Sequence, residues 1–125
     1  MYWTFKVFIN THGDNEFEEW RAKLVAKDRA KIPIFINRLR LIKTWDTKLV
    51  KPLKGHTTIS ELRIKGLNNV QLRPLGCLGP REGEFTILVG AIERDGVFNP
   101  KNAPQRAEDR RKLVFQDKRY IKDYE

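Results

Sequence analysis

Residues 85–92, Phe-Thr-Ile-Leu-Val-Gly-Ala-Ile, constrain the fold more than any other stretch of the chain. As a strand this run is apolar on both of its faces, so it belongs inside a sheet rather than at an edge. Two further strand patterns precede it, at 58–64 and 70–75. The first sets Leu62 and Ile64 against Glu61 and Arg63, and the second sets Val70 and Leu72 against Gln71 and Arg73. The third run ends in Gly90-Ala91-Ile92-Glu93-Arg94-Asp95-Gly96-Val97. Arg63, Arg73 and Arg94 thus sit inside or just past apolar strands, where the backbone holds them firmly. The shared register predicts that the three converge on one concave surface. Guanidinium groups fixed in this way suit a phosphate, because each offers a planar fork of donors and never loses its charge. The pattern points to a site for an RNA or DNA backbone.

The remaining sequence supplies helices. Residues 2–9 alternate, with Trp3, Phe5, Val7 and Ile9 on one side, and read as a strand. Gly13-Asp14 ends it. Asn15 and Glu18 have capping-box spacing, and Phe17, Trp20, Leu24 and Val25 follow at helical spacing. A second stripe, Ile32, Phe35, Ile36, Leu39 and Ile42, predicts another helix. Pro33 lacks an N–H and clashes with a preceding turn, so this helix should start near Ile32 or kink there. Residues 46–57 read as a basic loop with Lys48, Lys51, Lys54 and His56. Pro74 marks an edge strand or bulge, 76–83 a turn-rich connection, and 105–118 a charged helix. The expected order is β-α-α-β-β-β-α: an α+β domain over 1–125, with helices on one face of an antiparallel-rich sheet and 101–125 as a charged helical tail.

Charge is concentrated. Of a formal net +9, residues 38–73 hold nine Lys and Arg against two Asp and Glu, a surplus of seven that includes Lys65. Such a patch attracts polyanions and makes their binding salt-dependent, although a merely soluble basic surface has the same composition. The lone Cys77 rules out an internal disulfide and fits a reducing compartment. No secretory signal is visible and the first apolar stretch is too short to span a bilayer, so the expectation is a cytoplasmic protein with no membrane partner. His12 and His56 are isolated and no ligand-spaced cluster of Cys or carboxylates occurs, so neither a metal nor a cofactor is expected. Trp45 and Phe98 lie outside the core stripes and have the chemistry to stack on bases.

Glu61-Leu62-Arg63-Ile64, then Val70-Gln71-Leu72-Arg73, then the apolar strand ending near Gly90 resemble the RelE/HigB-like toxins of type II toxin–antitoxin systems, in their phage-derived branch. Pro104, Ala107 and Arg110 or Arg111 fall where those toxins carry a proline and a helix with an alanine and an arginine. The resemblance implies an endoribonuclease that cuts messenger RNA on the ribosome and is neutralised by a cognate antitoxin. It also implies functional roles for Arg63, Arg73 and Arg94. Two departures stand out: Phe98 replaces a functional tyrosine of several relatives, and Glu93-Arg94 replaces the usual double lysine.

Metal-free RNA cleavage needs a base for the 2′-hydroxyl, donors for the charge developing on phosphorus, and a proton for the leaving oxygen. The three arginines suit the second role. His56, Glu93, Asp95 and Lys54 are the candidates for proton transfer. Lys48, Lys51, Lys54, Lys65 and Phe98 complete the RNA-binding set. A competing reading keeps the fold as a non-catalytic RNA-binding or antitoxin-binding module. A third, a plain packed domain, would leave Arg63, Arg73 and Arg94 paired with carboxylates. On the toxin reading, Arg73→Ala should abolish activity with the fold intact. On either binding reading, RNA affinity falls steeply with salt, and Lys51→Ala with Lys54→Ala weakens all sequences about equally, as phosphate contacts do. A salt titration by fluorescence anisotropy checks this, and a flat salt response contradicts it.

Overall fold

The computed structural model describes residues 1–124. It begins with β1 (Thr4–Phe8), α1 (Glu16–Ala22) and α2 (Ala26–Arg40). The Asn15 side chain caps α1 by accepting from the Glu18 N–H at 3.0 Å. The Glu18 carboxylate does not close the box and instead pairs with Arg21, Nε to Oε1 at 2.6 Å. α2 does not start near Ile32; it runs from Ala26 to Arg40 with Pro33 inside it. Asp28, Ile32, Ile36 and Leu39 are buried along both halves, and that stripe holds the helix together across the missing hydrogen bond.

The second half is richer in strands than its sequence pattern suggests: β2 (Val50–Leu53), β3 (His56–Leu62), β4 (Ile64–Lys65), β5 (Gln71–Leu72), β6 (Leu75–Leu78), β7 (Glu84–Val89), β8 (Ile92–Arg94) and β9 (Val97–Asn99). α3 (Ala103–Gln116), a 3-10 turn (Lys118–Tyr120) and β10 (Ile121–Asp123) follow. The fold is α+β, with a six-stranded sheet ordered β10-β1-β7-β6-β3-β2 and a four-stranded sheet ordered β4-β5-β8-β9. β7 is interior, as its apolar run requires. It lies parallel to β1, with Phe5 opposite Phe85 and Val7 opposite Ile87, and antiparallel to β6.

Three expectations are corrected. Residues 46–57 are not all loop, because 50–53 pair with β3. Residues 76–83 are not all turn, because Gly76, Cys77 and Leu78 extend β6 along β7. The tail is not only helical, since β10 covers the outer edge of β1, with Lys6 opposite Asp123 and the Tyr124 N–H bonded to the Phe5 carbonyl at 3.0 Å.

Helices cover both faces of the larger sheet rather than one. Phe5, Val7, Phe85 and Ile87 pack with Phe17 of α1 and Ile32, Ile36 and Leu39 of α2. On the other face Phe8, Ile59, Leu75, Cys77 and Leu88 pack with Ala103, Ala107 and Val114 of α3. Each large buried apolar side chain contributes roughly 1.5–3 kcal/mol, so the two layers are comparable sources of stability. Trp45 belongs to the first layer: its ring lies 4.2 Å from that of Trp3, and its Nε1–H donates to the Leu39 carbonyl at 2.9 Å. Among the described residues no helix is long and apolar enough to cross a membrane.

The two sheets meet at a corner. The chain crosses it three times, between β3 and β4 at Arg63, between β5 and β6 at Arg73-Pro74, and between β7 and β8 at Gly90-Ala91. Hydrogen bonding continues through the bend, with the Leu62 N–H on the Pro74 carbonyl at 2.9 Å and the Arg73 N–H on the Ala91 carbonyl at 2.8 Å. Gly90 is required there because a Cβ would stand 2.2 Å from the Trp20 ring. Gly90→Ala is therefore expected to destabilise the protein by about 1–3 kcal/mol, the usual cost of overpacking. Urea unfolding checks this, and an unchanged midpoint contradicts it.

Candidate functional site

A groove of about 490 Å³ opens on the α3 side of the corner. β2 and its turn supply Lys51 and Lys54, β3 supplies His56 and Glu61, and the first crossing supplies Arg63. Glu93 of β8, Phe98 of β9 and Pro104 at the start of α3 close the far wall. The register explains the gathering: Lys51 lies opposite Glu61, and Glu93 lies opposite both Gln71 and Phe98. Lys51, Lys54, His56, Arg63, Glu93 and Phe98 thus meet as the sequence pattern predicts. Lys48 and Lys65 are off the groove wall; Lys48 is exposed in the segment before β2, and Lys65 is exposed on β4.

The floor is ionic. Arg73 is 4% exposed and Glu61 5%. The Arg73 Nε stands 3.2 Å from Glu93 Oε1 and 3.5 Å from Glu61 Oε2. Its Nη1–H donates to the carbonyls of Leu72, at 3.1 Å, and Ile64, at 3.4 Å. Arg63, a third exposed, holds Glu61 from the groove side. Two guanidinium groups and two carboxylates leave the cluster with no formal net charge. Burial raises the Glu61 carboxyl pKa, and Arg63 and Arg73 oppose that rise. Burial likewise lowers the Arg73 pKa against the pull of Glu61 and Glu93.

The convergence of three arginines is therefore corrected. Arg63 and Arg73 do meet, on Glu61, but Arg73 lies beneath the surface with its Nε and Nη1 already engaged. Arg94 does not join them. Glu93 faces the cluster, and side chains alternate along a strand, so the next residue is turned away. Arg94 lines a neighbouring cavity with Phe98 and Lys101. Arg73→Ala, expected from sequence to leave the fold intact, would strip Glu93 of its counter-charge and leave the buried Glu61 with Arg63 alone.

One functional candidate was invisible in the sequence. The His56 ring Nδ1 lies 2.6 Å from Glu108 Oε2 of α3, with both side chains close to a third exposed. A carboxylate at this distance accepts from Nδ1–H, and in that tautomer of the neutral ring Nε2 is the acceptor, the arrangement of an oriented base. Only Ala107, its neighbour, signals which way α3 faces, and nothing local ties Glu108 to a segment 52 residues earlier.

The other reactive groups are quiet. Cys77 is buried in the α3-side core, and that burial pushes its thiol up to about 12, so it holds no thiolate at neutral pH. Arg110 is buried against Phe8, donates to the Leu88 carbonyl at 2.8 Å and pairs with Glu16 at 2.9 Å, which is a packing role. Among the described residues no group of three or more His, Cys, Asp or Glu is arranged to hold a metal ion. No family model matches the chain, and neither a curated protein nor a solved structure is significantly similar to it.

Proposed function

We propose that this protein is a toxin of the RelE/HigB-like class, a metal-independent endoribonuclease that acts on translated messenger RNA at the ribosome and is held in check by a cognate antitoxin. The observation that carries the reading is His56, held by Glu108 and lining a groove with Lys51, Lys54 and Arg63. The lysines and Arg63 take the RNA phosphates. His56 Nε2 takes the proton from a 2′-hydroxyl, and the freed oxygen attacks the adjacent phosphorus. The bond from phosphorus to the 5′ oxygen breaks, that oxygen is reprotonated, and the products are a 2′,3′-cyclic phosphate and a 5′-hydroxyl end. Glu93, held by Arg73, balances charge in this scheme rather than moving protons.

A second reading, a non-catalytic RNA-binding or antitoxin-binding module, draws on a different observation. Glu61 and Glu93 occupy Arg63 and Arg73, so fewer guanidinium donors remain for a transition state, and Phe98 has no hydroxyl to assist. Expression of the chain without an antitoxin separates the two. The enzyme reading expects arrested growth and new 5′-hydroxyl ends in translated messages, with cleavage falling about 100- to 10,000-fold in His56→Ala, the range for loss of a general base. Unimpaired growth and intact messages would leave the binding module.

A further inference from the structure

Beside the groove lies a second cavity, of about 760 Å³, formed by the β8–β9 hairpin and the segment leading into α3. Phe98, on the edge strand β9, lines both cavities, so the two are neighbours around that edge. The second is walled by Ile92, Val97, Phe98, Asn99, Arg94 and Lys101, with Asp95 as its one carboxylate. Val97 is 55% exposed, an apolar surface left open to water on the Arg94 face. Arg94 and Lys101 are exposed, and among the described residues neither forms an ion pair, in contrast to Arg63 and Arg73. The hairpin reverses through Asp95 and Gly96, with φ of 52° and 78°. Two left-handed residues in a two-residue reversal are the signature of a type I′ turn, whose twist matches that of the flanking strands. The platform is therefore shaped before anything binds.

We propose that this cavity is a second subsite for single-stranded RNA, taking the nucleotide that flanks the one in the groove, with the strand passing round the β9 edge. The inference rests on the RNA-binding reading above. The chemistry is that of a nucleotide in three parts. Ile92 and Val97, which the pairing of β8 with β9 places on the same face as Arg94 and Asn99, give a base an apolar plate to lie on, Asn99 offers donor and acceptor groups to a base edge, and Arg94 and Lys101 meet the phosphates. The sequence departure at Glu93-Arg94 then has a use: the glutamate turns inward to the ionic floor and sends the arginine out to this cavity. Phe98, paired with Glu93, turns its ring to the groove face instead.

The test is equilibrium binding of the full chain to 2′-O-methyl oligouridylates, which have no free 2′-hydroxyl to react. Lengths of about 4 and about 16 nucleotides bracket the usual single-strand site sizes. The wild-type protein should bind the longer oligomer more tightly. In the double variant Arg94→Gln with Lys101→Gln, both exposed positions, the salt slope for the longer oligomer should flatten by about 1.4, two phosphates at about 0.7 each. Binding of the shorter oligomer should not change. Equal weakening of both lengths overturns the subsite in favour of a diffuse charge effect, and an unchanged long-oligomer slope overturns it in favour of another exit route. If the wild-type protein binds neither length, the RNA reading itself fails, and the subsite with it.

Discussion

The Arg73 guanidinium ties together the corner on which the rest of the second half depends. Its backbone N–H bonds to Ala91 across the bend, and its side chain joins Glu61 of the six-stranded sheet to Glu93 of the four-stranded one. Removing an ion from water costs several kcal/mol, and a buried pair recovers that only with good geometry and further hydrogen bonds. Here two carboxylates and two carbonyls surround a single arginine. The arrangement holds three chain crossings in one place, and the groove inherits its shape from them.

This floor decides what the groove has to offer a ligand. Because Arg63 and Arg73 are already balanced by Glu61 and Glu93, the groove cations without such partners among the described residues are on the rim, at Lys51 and Lys54. The base chemistry comes from the same side of the sheet corner, where α3 delivers Glu108 to His56. Packing of Ala103 and Ala107 against the sheet therefore does two things: it completes a core, and it sets the orientation of one imidazole.

Much of this was legible from residue order. The interior strand followed from its apolar run, the start of α1 from Asn15, and six groove residues from strand register and the basic segment before it. What escaped was long-range. β10 pairs with β1 from the far end of the chain, and no local pattern distinguishes its three residues from a helical tail. Alternation told which face of a strand Arg73 and Glu61 occupy, but not that the face would be covered. A buried arginine and a phosphate-binding arginine look alike in sequence, because both sit in apolar strands. The difference lies in Glu93, brought alongside by pairing of β5 with β8. Pro33 misled in the other direction, since tertiary burial of the α2 stripe outweighs one lost hydrogen bond.

Urea unfolding of Arg73→Ala tests the account most directly. Leaving Glu93 without its partner and the buried Glu61 with Arg63 alone should cost about 3–5 kcal/mol, the penalty for breaking a buried ion pair. The same variant should lose RNA binding only to the extent that the folded population falls. Stability within about 0.5 kcal/mol of the parent, the range of an ordinary surface substitution, would contradict the structural role of Arg73. Lost RNA binding in such a stable variant would return the residue to the ligand.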